Sequence, residues 1–141
     1  MRLTSEDRNL VVARELERAK EAYDDILYLQ KDGRLSAAAN RLYYAVFHAV
    51  SALLIKDGHQ ASRHNGSHIL FSQHYIKTGI LPSDYGTLYN NLQSLREKSD
   101  YNCFFDVKEQ DIAEGIDVAH RLIQAIEALV AKSENQQSYN K

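Results

Sequence analysis

The feature that most constrains the fold is the segment of residues 35–56, which is apolar around well over half of a helical circumference. Residues three and four apart share one face of a helix, and here the apolar positions extend beyond one face. Such a helix needs neighbours on several sides, so the pattern predicts the central helix of a bundle. Its apolar positions are Ala38, Ala39, Leu42, Tyr43, Val46, Phe47, Val50, Leu53 and Leu54.

Four further segments have helical periodicity. The chain has one proline and six glycines, and it lacks runs of alternating apolar and polar residues, so its composition indicates an all-α protein. Short connections predict that neighbouring helices are antiparallel. The predicted fold is therefore an all-α, antiparallel up-and-down bundle of four to five helices. We predict helices over about residues 5–31, 35–56, 67–78, from 82–84 to 99–101, and 108–132.

The 141 residues fit one domain with its own core. We predict a single helical domain over residues 1–132 and a polar, disordered tail over residues 133–141. Cys103 is the only cysteine, which excludes an internal disulfide and a cysteine-based zinc site. We interpret it as half-buried filler rather than a nucleophile. The single cysteine, a polar N-terminus and the lack of a long apolar run favour a cytoplasmic protein without a membrane span.

Two polar residues, Arg41 and His48, lie within the apolar surface of the predicted central helix. Arg41 and His48 are seven residues apart and point nearly the same way, with Ala45 and Ala52 in the same stripe and Tyr44 beside it. A buried arginine is expensive unless paired, so it is either in an ion pair with a neighbouring helix or in a functional site. His48 is likewise either a hydrogen-bonded core histidine or a functional residue. The alanines leave room for another backbone or a ligand.

A second candidate segment lies near the end of the fourth helix. Arg96 and Asp100 are four residues apart, so an ion pair within the helix is the simple explanation. Alternatively, Arg96 is a forked phosphate donor whose orientation Asp100 fixes. If this helix packs beside the central one, Arg41 and His48 converge with these two residues in a composite site. With a net charge of only −2, any phosphate site must be such a local basic patch.

The loop before the third helix contains another group of basic residues, Arg63, His64 and His68. His64 and His68 are four residues apart, but Gly66 lies between them and no carboxylate or thiol is near in sequence. We therefore predict no metal site and favour a cluster of loop histidines that caps the third helix. The sequence has no glycine-rich phosphate loop and no nucleophile elbow, and no cofactor is predicted.

Three segments, in this order, resemble the HEPN family (higher eukaryotes and prokaryotes nucleotide-binding domain). Residues 41–49, Arg-Leu-Tyr-Tyr-Ala-Val-Phe-His-Ala, are similar to the signature Arg-x-Tyr-Tyr-Ala-x-Phe-His-Ala. Residues 67–71, Ser-His-Ile-Leu-Phe, and residues 95–101, Leu-Arg-Glu-Lys-Ser-Asp-Tyr, fit as well. The likeness is to the small stand-alone prokaryotic branch and covers about residues 5–132. It implies a HEPN-like antiparallel bundle, usually a homodimer, often encoded beside a minimal nucleotidyltransferase as a toxin–antitoxin pair.

The resemblance also implies a chemistry. Active members of the family are metal-independent ribonucleases, in which an arginine is followed after four to six residues by a histidine. Two copies of this motif meet across the dimer, where the arginine would hold the scissile phosphate and the histidine would handle a proton. Two places in this chain have the spacing, Arg41 to His48 and Arg63 to His68.

In the toxin branch the motif lies in the later helix, at a position nearest to Arg96 and Asp100, and this segment has no histidine. An ionised aspartate cannot donate the proton that histidine would, although it can accept one or orient Arg96. In some relatives a tyrosine shortly after the motif histidine is nucleotidylated by the partner enzyme, and Tyr101 is the nearest counterpart. The alternative is that Tyr101 packs at the helix end.

The first functional hypothesis is a HEPN protein of a nucleotidyltransferase-associated, toxin–antitoxin type system that binds nucleotide, phosphate or a partner protein. The alternative is a metal-independent toxin endoribonuclease with arginine and histidine at a dimer interface. A third is a structural dimerisation domain. We expect a homodimer, a minimal nucleotidyltransferase partner, an RNA or nucleotide ligand, and no cofactor, metal or membrane. The predicted catalytic residues are Arg96, Asp100 and His48; the predicted nucleotide- or phosphate-binding residues are Arg41, Tyr44, Arg96 and Tyr101; the secondary candidates are Arg63, His64 and His68.

Overall fold

A computed structural model places the chain in a bundle of α-helices, and the all-α prediction is confirmed. The structure describes residues 3–62 and 66–139, with side chains described as far as residue 132, and these residues contain no strand. The helices are α1 (Ser5–Lys31), α2 (Leu35–Lys56), α3 (Ser67–Phe71), α4 (Ser83–Tyr101) and α5 (Glu109–Tyr139), with a π-helical turn (Ser72–Ile76) directly after α3.

Helices α1 and α2 form a helical hairpin with the most extensive contact in the bundle. Thr4 caps the start of α1, because its hydroxyl oxygen accepts a hydrogen bond from the backbone N–H of Asp7 at 3.0 Å. Gly33, with φ of +73°, allows the tight reversal that follows α1. A connection this short makes the two helices antiparallel. Ala45 and Ala52 are completely buried, so their small side chains serve close helix packing within the core rather than ligand entry.

Helix α2 is the centre of the bundle, as predicted. It contacts α1, α3, α4 and α5. The apolar positions predicted for it are all buried except Phe47, which is partly buried against the same core. Because α2 is covered on most sides, a charged side chain on it can reach solvent only along a narrow strip. Arg41 and His48 are partly buried and lie on this strip of α2.

The third predicted helix differs from the structure. The sequence predicts one helix over residues 67–78, but the α-helix ends at Phe71 and the chain continues as a π-helical turn, in which the N–H of Lys77 donates to Ser72 O at 2.9 Å. The buried Tyr75 anchors this turn, because its hydroxyl donates to Asp57 Oδ2 at 2.5 Å, just beyond α2. A contact distant in sequence thus holds a residue of this wider turn.

Helix α5 extends further than predicted. Its backbone is helical through Tyr139, beyond the expected end at about Lys132. The single domain over residues 1–132 and the disordered tail over residues 133–141 stay predictions. Residues 140–141 lie outside the described part of the chain. Among the described helices, none combines the length and the apolar character needed to cross a membrane.

Candidate functional site

Helices α2 and α4 pack side by side, as the composite site requires. Two arginines of these helices contact the ring of Tyr44: Arg41 Cζ is 5.3 Å from the ring centroid and Arg96 Cζ is 5.6 Å from it. Arg96 Cζ is also 5.0 Å from the ring centroid of Tyr43. We call Arg41, Tyr43, Tyr44, His48 and Arg96 the Tyr44 cluster. It brings two guanidinium groups against one aromatic ring, within the range of cation–π attraction.

Arg41 has little to balance its charge. Its Nη2 donates to Asn40 Oδ1, the neighbouring residue, at 3.0 Å. Across residues 3–62 and 66–132 it makes no ion pair, so the predicted structural pair with a carboxylate of another helix is not found there. An amide oxygen and the face of Tyr44 are therefore its partners in the described structure. A partly buried cation in this state has spare donors for an anion.

Arg96 has one weak anionic partner. Its Nε lies 3.5 Å from Asp100 Oδ2, four residues further along α4, as the spacing predicted. The atoms form an ion pair, but the contact does not qualify as a hydrogen bond, and Arg96 Nε is the one buried side-chain nitrogen or oxygen of the described residues without a hydrogen-bond partner. The Arg96 side chain is only 27% exposed. Its charge is thus held mainly against the rings of Tyr43 and Tyr44 rather than neutralised.

Tyr43 of the cluster and the neighbouring Tyr89 are buried phenols. Burial raises the pKa of Tyr43, and the nearby charge of Arg96 acts in the opposite direction. Burial also raises the pKa of Tyr89, whose ring lies 6.0 Å from that of Tyr43 and whose hydroxyl is 2.5 Å from the Ser67 hydroxyl. Both tyrosines therefore remain protonated at neutral pH, and neither supplies an anion for the arginines.

His48 joins the cluster through Tyr44, since the two ring centroids are 6.1 Å apart. Its Nδ1 lies 2.7 Å from Oε2 of Glu15 on α1. His48 is thus hydrogen-bonded within the bundle, as one of its two predicted alternatives required. Its ring also borders that of Tyr44, which both arginines contact. Its partner Glu15 was missed by the sequence analysis.

A signal for Glu15 does exist in the sequence. The buried positions of α1 are Val12, Ala19, Ala22 and Ile26, spaced three to seven residues apart. Glu15 falls on this stripe, three residues after Val12 and four before Ala19. A charged residue in an apolar stripe is the same pattern that identified Arg41, and applying it to α1 would have found this carboxylate.

Two residues at and just after the end of α4 lie at the surface. Tyr101 is 82% exposed, so the alternative that it packs at the helix end is wrong. No described ring or hydrogen-bond contact joins Tyr101 to the Tyr44 cluster. Cys103 is exposed as well, so its interpretation as half-buried filler is also wrong. Asp100 lies against Arg96 and not against Arg41.

The secondary candidates are only partly described. Arg63 and His64 lie outside the described residues. The ring of His68 lies edge-on to Tyr89, with centroids 6.4 Å apart. The predicted histidine cap of α3 is not found in the described part, because the N-cap residue is Gly66 and no side-chain hydrogen bond caps the helix there. Over residues 3–62 and 66–132, no group of three or more His, Cys, Asp or Glu residues is placed to hold a metal ion.

The chain is similar to known proteins along most of its length. The HEPN domain family matches residues 12–129. A Thermotoga maritima relative, named UPF0332 protein, is 37% identical over 113 residues, which cover 80% of this chain and 86% of the relative. A Methanocaldococcus jannaschii relative, named as a proposed toxin, is 32% identical over 79 residues, which cover 56% of this chain and 58% of the relative. A second proposed toxin of that organism is 28% identical over 74 residues, covering 52% of this chain and 50% of the relative.

Proposed function

The chain belongs to the HEPN domain family, and we propose that it is a toxin-like member whose Tyr44 cluster binds a phosphate group of RNA or of a nucleotide. Two relatives with the name of a proposed toxin support the toxin-like role. The observation that carries the phosphate site is that Arg41 and Arg96 share the ring of Tyr44. Over residues 3–62 and 66–132, the one carboxylate paired with either arginine is that of Asp100, 3.5 Å from Arg96.

The electrostatics favour an anion at this place. Both guanidinium carbons lie within 5.6 Å of one ring centroid, so the two charges are close enough to repel each other. At a separation of about 10 Å and an effective dielectric constant of about 20, this repulsion is roughly 1–2 kcal/mol. Phosphate oxygens bound at these guanidinium groups offset the repulsion, because each cation then faces a negative charge. Guanidinium forks also match the geometry of phosphate oxygens.

A binding assay with matched variants tests the phosphate site. Arg41→Gln and Arg96→Gln each remove a cluster charge, whereas Arg14→Gln removes a charge from the exposed face of α1, where Arg14 pairs with Glu17. With a fluorescent single-stranded RNA and with ATP as probes, we expect each cluster variant to weaken binding of at least one probe about tenfold or more, and the control to change little. Equal losses in all three variants would indicate only general charge attraction and would contradict the site.

A second candidate function, metal-independent cleavage of RNA, is supported by the position of His48 beside Tyr44, the ring that both arginines contact. In such a reaction the imidazole takes the proton of the 2′-hydroxyl, the O2′–P bond forms, and the P–O5′ bond breaks. The leaving O5′ atom takes a proton from solvent, to which the imidazolium returns its own. Arg41 and Arg96 would stabilise the charge that develops on the phosphate oxygens.

Cleavage of a labelled RNA in the presence of a metal chelator tests this second function. The reaction should occur with the wild type and be abolished in His48→Gln. His120→Gln is the control, since His120 is exposed on α5 and contacts Tyr23 instead of the Tyr44 cluster. A wild type that binds RNA but leaves it intact would exclude cleavage and retain the binding function.

The partners also belong to this proposal: a second copy of the chain and a minimal nucleotidyltransferase, with the cytoplasm as the expected compartment. The exposure of Tyr101 makes its hydroxyl accessible to a modifying partner. Light scattering on the purified chain should give the mass of a dimer. Co-expression with the product of a neighbouring nucleotidyltransferase gene should give a stable complex and, by mass spectrometry, a nucleotide adduct that Tyr101→Phe removes. A monomer, or a partner that neither binds nor modifies the chain, would contradict these assignments.

A further inference from the structure

We propose that Glu15 is a positioning residue that holds His48 in one tautomer, with the proton on Nδ1 and a free lone pair on Nε2. This inference rests on the proposed function, because it concerns the histidine of the Tyr44 cluster. The two residues come from different helices and are 33 positions apart in sequence. Glu15 Oε2 and His48 Nδ1 lie 2.7 Å apart, and the side chains are only 23% and 20% exposed.

The tautomer follows from the chemistry of the carboxylate. An ionised carboxylate has acceptors and no donor, so the nitrogen that faces it must carry a hydrogen. In a neutral imidazole one nitrogen is the donor and the other is the acceptor. With Nδ1–H donating to Glu15, the acceptor is Nε2. The pair also fixes the orientation of the ring, as a carboxylate does for a histidine in catalytic and metal-binding sites.

Packing alone does not account for the pair. A partly buried carboxylate and imidazole lose much of their hydration, and an apolar pair of similar volume is often at least as stabilising in such a place. Helices α1 and α2 already form the most extensive contact of the bundle, and both contribute buried apolar residues to the core. In addition, the ring of His48 borders Tyr44, which contacts both arginines. With its lone pair on Nε2, His48 could accept a proton from a hydroxyl group of a ligand bound at the cluster.

The nitrogen resonances of His48 test this directly and need no ligand. In the full-length protein labelled with ¹⁵N, correlation of the ring protons with both nitrogens identifies the protonated one, and His48→Gln assigns the signals. At a pH where the ring is neutral, we expect Nδ1 to be protonated in the wild type, opposite to the Nε2–H form that free imidazole side chains favour. In Glu15→Ala the signals should shift towards Nε2–H. A wild-type ring with the proton on Nε2, or signals unchanged in Glu15→Ala, would overturn the proposal.

Two further variants separate positioning from folding. Glu15→Gln keeps an oxygen acceptor for Nδ1–H and should retain much of the Nδ1–H signal, even if Glu15→Ala fails to fold. Glu17→Ala is the control, because Glu17 is an exposed residue two positions away that pairs with Arg14. It should leave the His48 signals unchanged. If Glu17→Ala shifts the tautomer as much as Glu15→Ala, a general effect on α1 is responsible and the positioning role is wrong.

The outcome is distinguishable from that of the proposed function. If the tautomer is as expected but neither RNA nor ATP binds, the phosphate site fails and the Glu15–His48 inference stands. If the cluster variants lose RNA binding but the tautomer is opposite, this inference alone fails. Where the wild type cleaves RNA, Glu15→Ala should lower kcat by roughly 10- to 100-fold with little change in KM, because the substrate contacts are intact. A raised KM with unchanged kcat would contradict positioning.

Discussion

Replacement of Tyr44 by leucine should destabilise the protein by about 1–2 kcal/mol. Tyr44 is half-buried against the core, and leucine keeps most of that apolar contact. What leucine removes is the ring that Arg41 and Arg96 share, with guanidinium carbons 5.3 Å and 5.6 Å from its centroid. Each cation–π contact at a partly exposed site contributes about 0.5–1 kcal/mol, so two such contacts give about 1–2 kcal/mol.

Urea denaturation followed by circular dichroism measures this change in the free energy of unfolding. The matched control is Tyr28→Leu on α1, because Tyr28 is 77% exposed and its replacement should stay within about 0.5 kcal/mol. Tyr44→Phe keeps the ring and removes only the hydroxyl. It should therefore have nearly the stability of the wild type.

A double-mutant cycle isolates the interaction between the ring and the charge. Combining Tyr44→Leu with Arg41→Met should give a coupling energy of about 0.5–1 kcal/mol, because either substitution alone already abolishes the interaction between the two side chains. If the two effects are additive, or if Tyr44→Phe destabilises as much as Tyr44→Leu, the ring face does not hold the guanidinium groups and the reasoning is refuted.

Three further predictions concern the stability of the helical bundle outside the Tyr44 cluster. Burial and the hydrogen bond to Asp57 raise the pKa of Tyr75, so the folded state keeps the phenol proton to a higher pH than the unfolded state does. The free energy of unfolding should therefore fall as the pH rises above about 10. Urea denaturation should find a smaller fall in Tyr75→Phe. Gly33→Ala should lower stability by about 1 kcal/mol in the same assay, because φ is +73° and no atom lies within 4 Å of an added Cβ, so only backbone strain acts. Thr4→Ala should cost about 1 kcal/mol and fray the first turn of α1 in hydrogen exchange, since the substitution removes the cap on Asp7 N–H. An unchanged pH dependence, a neutral glycine substitution or unaltered exchange would contradict the respective argument.

Helix boundaries were predictable where the signal is local. The limits of α1 and α2 agree with the sequence prediction, because a threonine cap and glycines with positive φ mark them. The π-helical turn was not predictable, since no local pattern marks it and the contact of its Tyr75 with Asp57 joins residues that are distant in sequence. The end of α5 was misplaced because a polar composition does not by itself stop a helix.

The convergence of the cluster residues was predictable from the sequence, but their ion-pair partners were not. Arg41 and His48 contrast with an apolar helix, and Arg96 lies at a matching level of α4, so their convergence around Tyr44 followed from sequence and packing. Glu15 lies among many charged residues of α1, so it has no such contrast and only its helical phase distinguishes it. Which carboxylate pairs with which cation depends on distances of a few ångströms between helices, which periodicity does not give.

The salt dependence of RNA binding tests the central claim most directly, because it counts the phosphate groups that the protein neutralises. For single-stranded RNA, the slope of log affinity against log salt concentration changes by roughly 0.7 for each phosphate that a variant no longer neutralises. We predict that Arg41→Gln and Arg96→Gln each lower the steepness of this slope by about that amount relative to the wild type, while Arg14→Gln leaves it unchanged. Slopes that are identical in the wild type and in both cluster variants would show that neither arginine binds a phosphate, and would contradict the assignment of the Tyr44 cluster as the site.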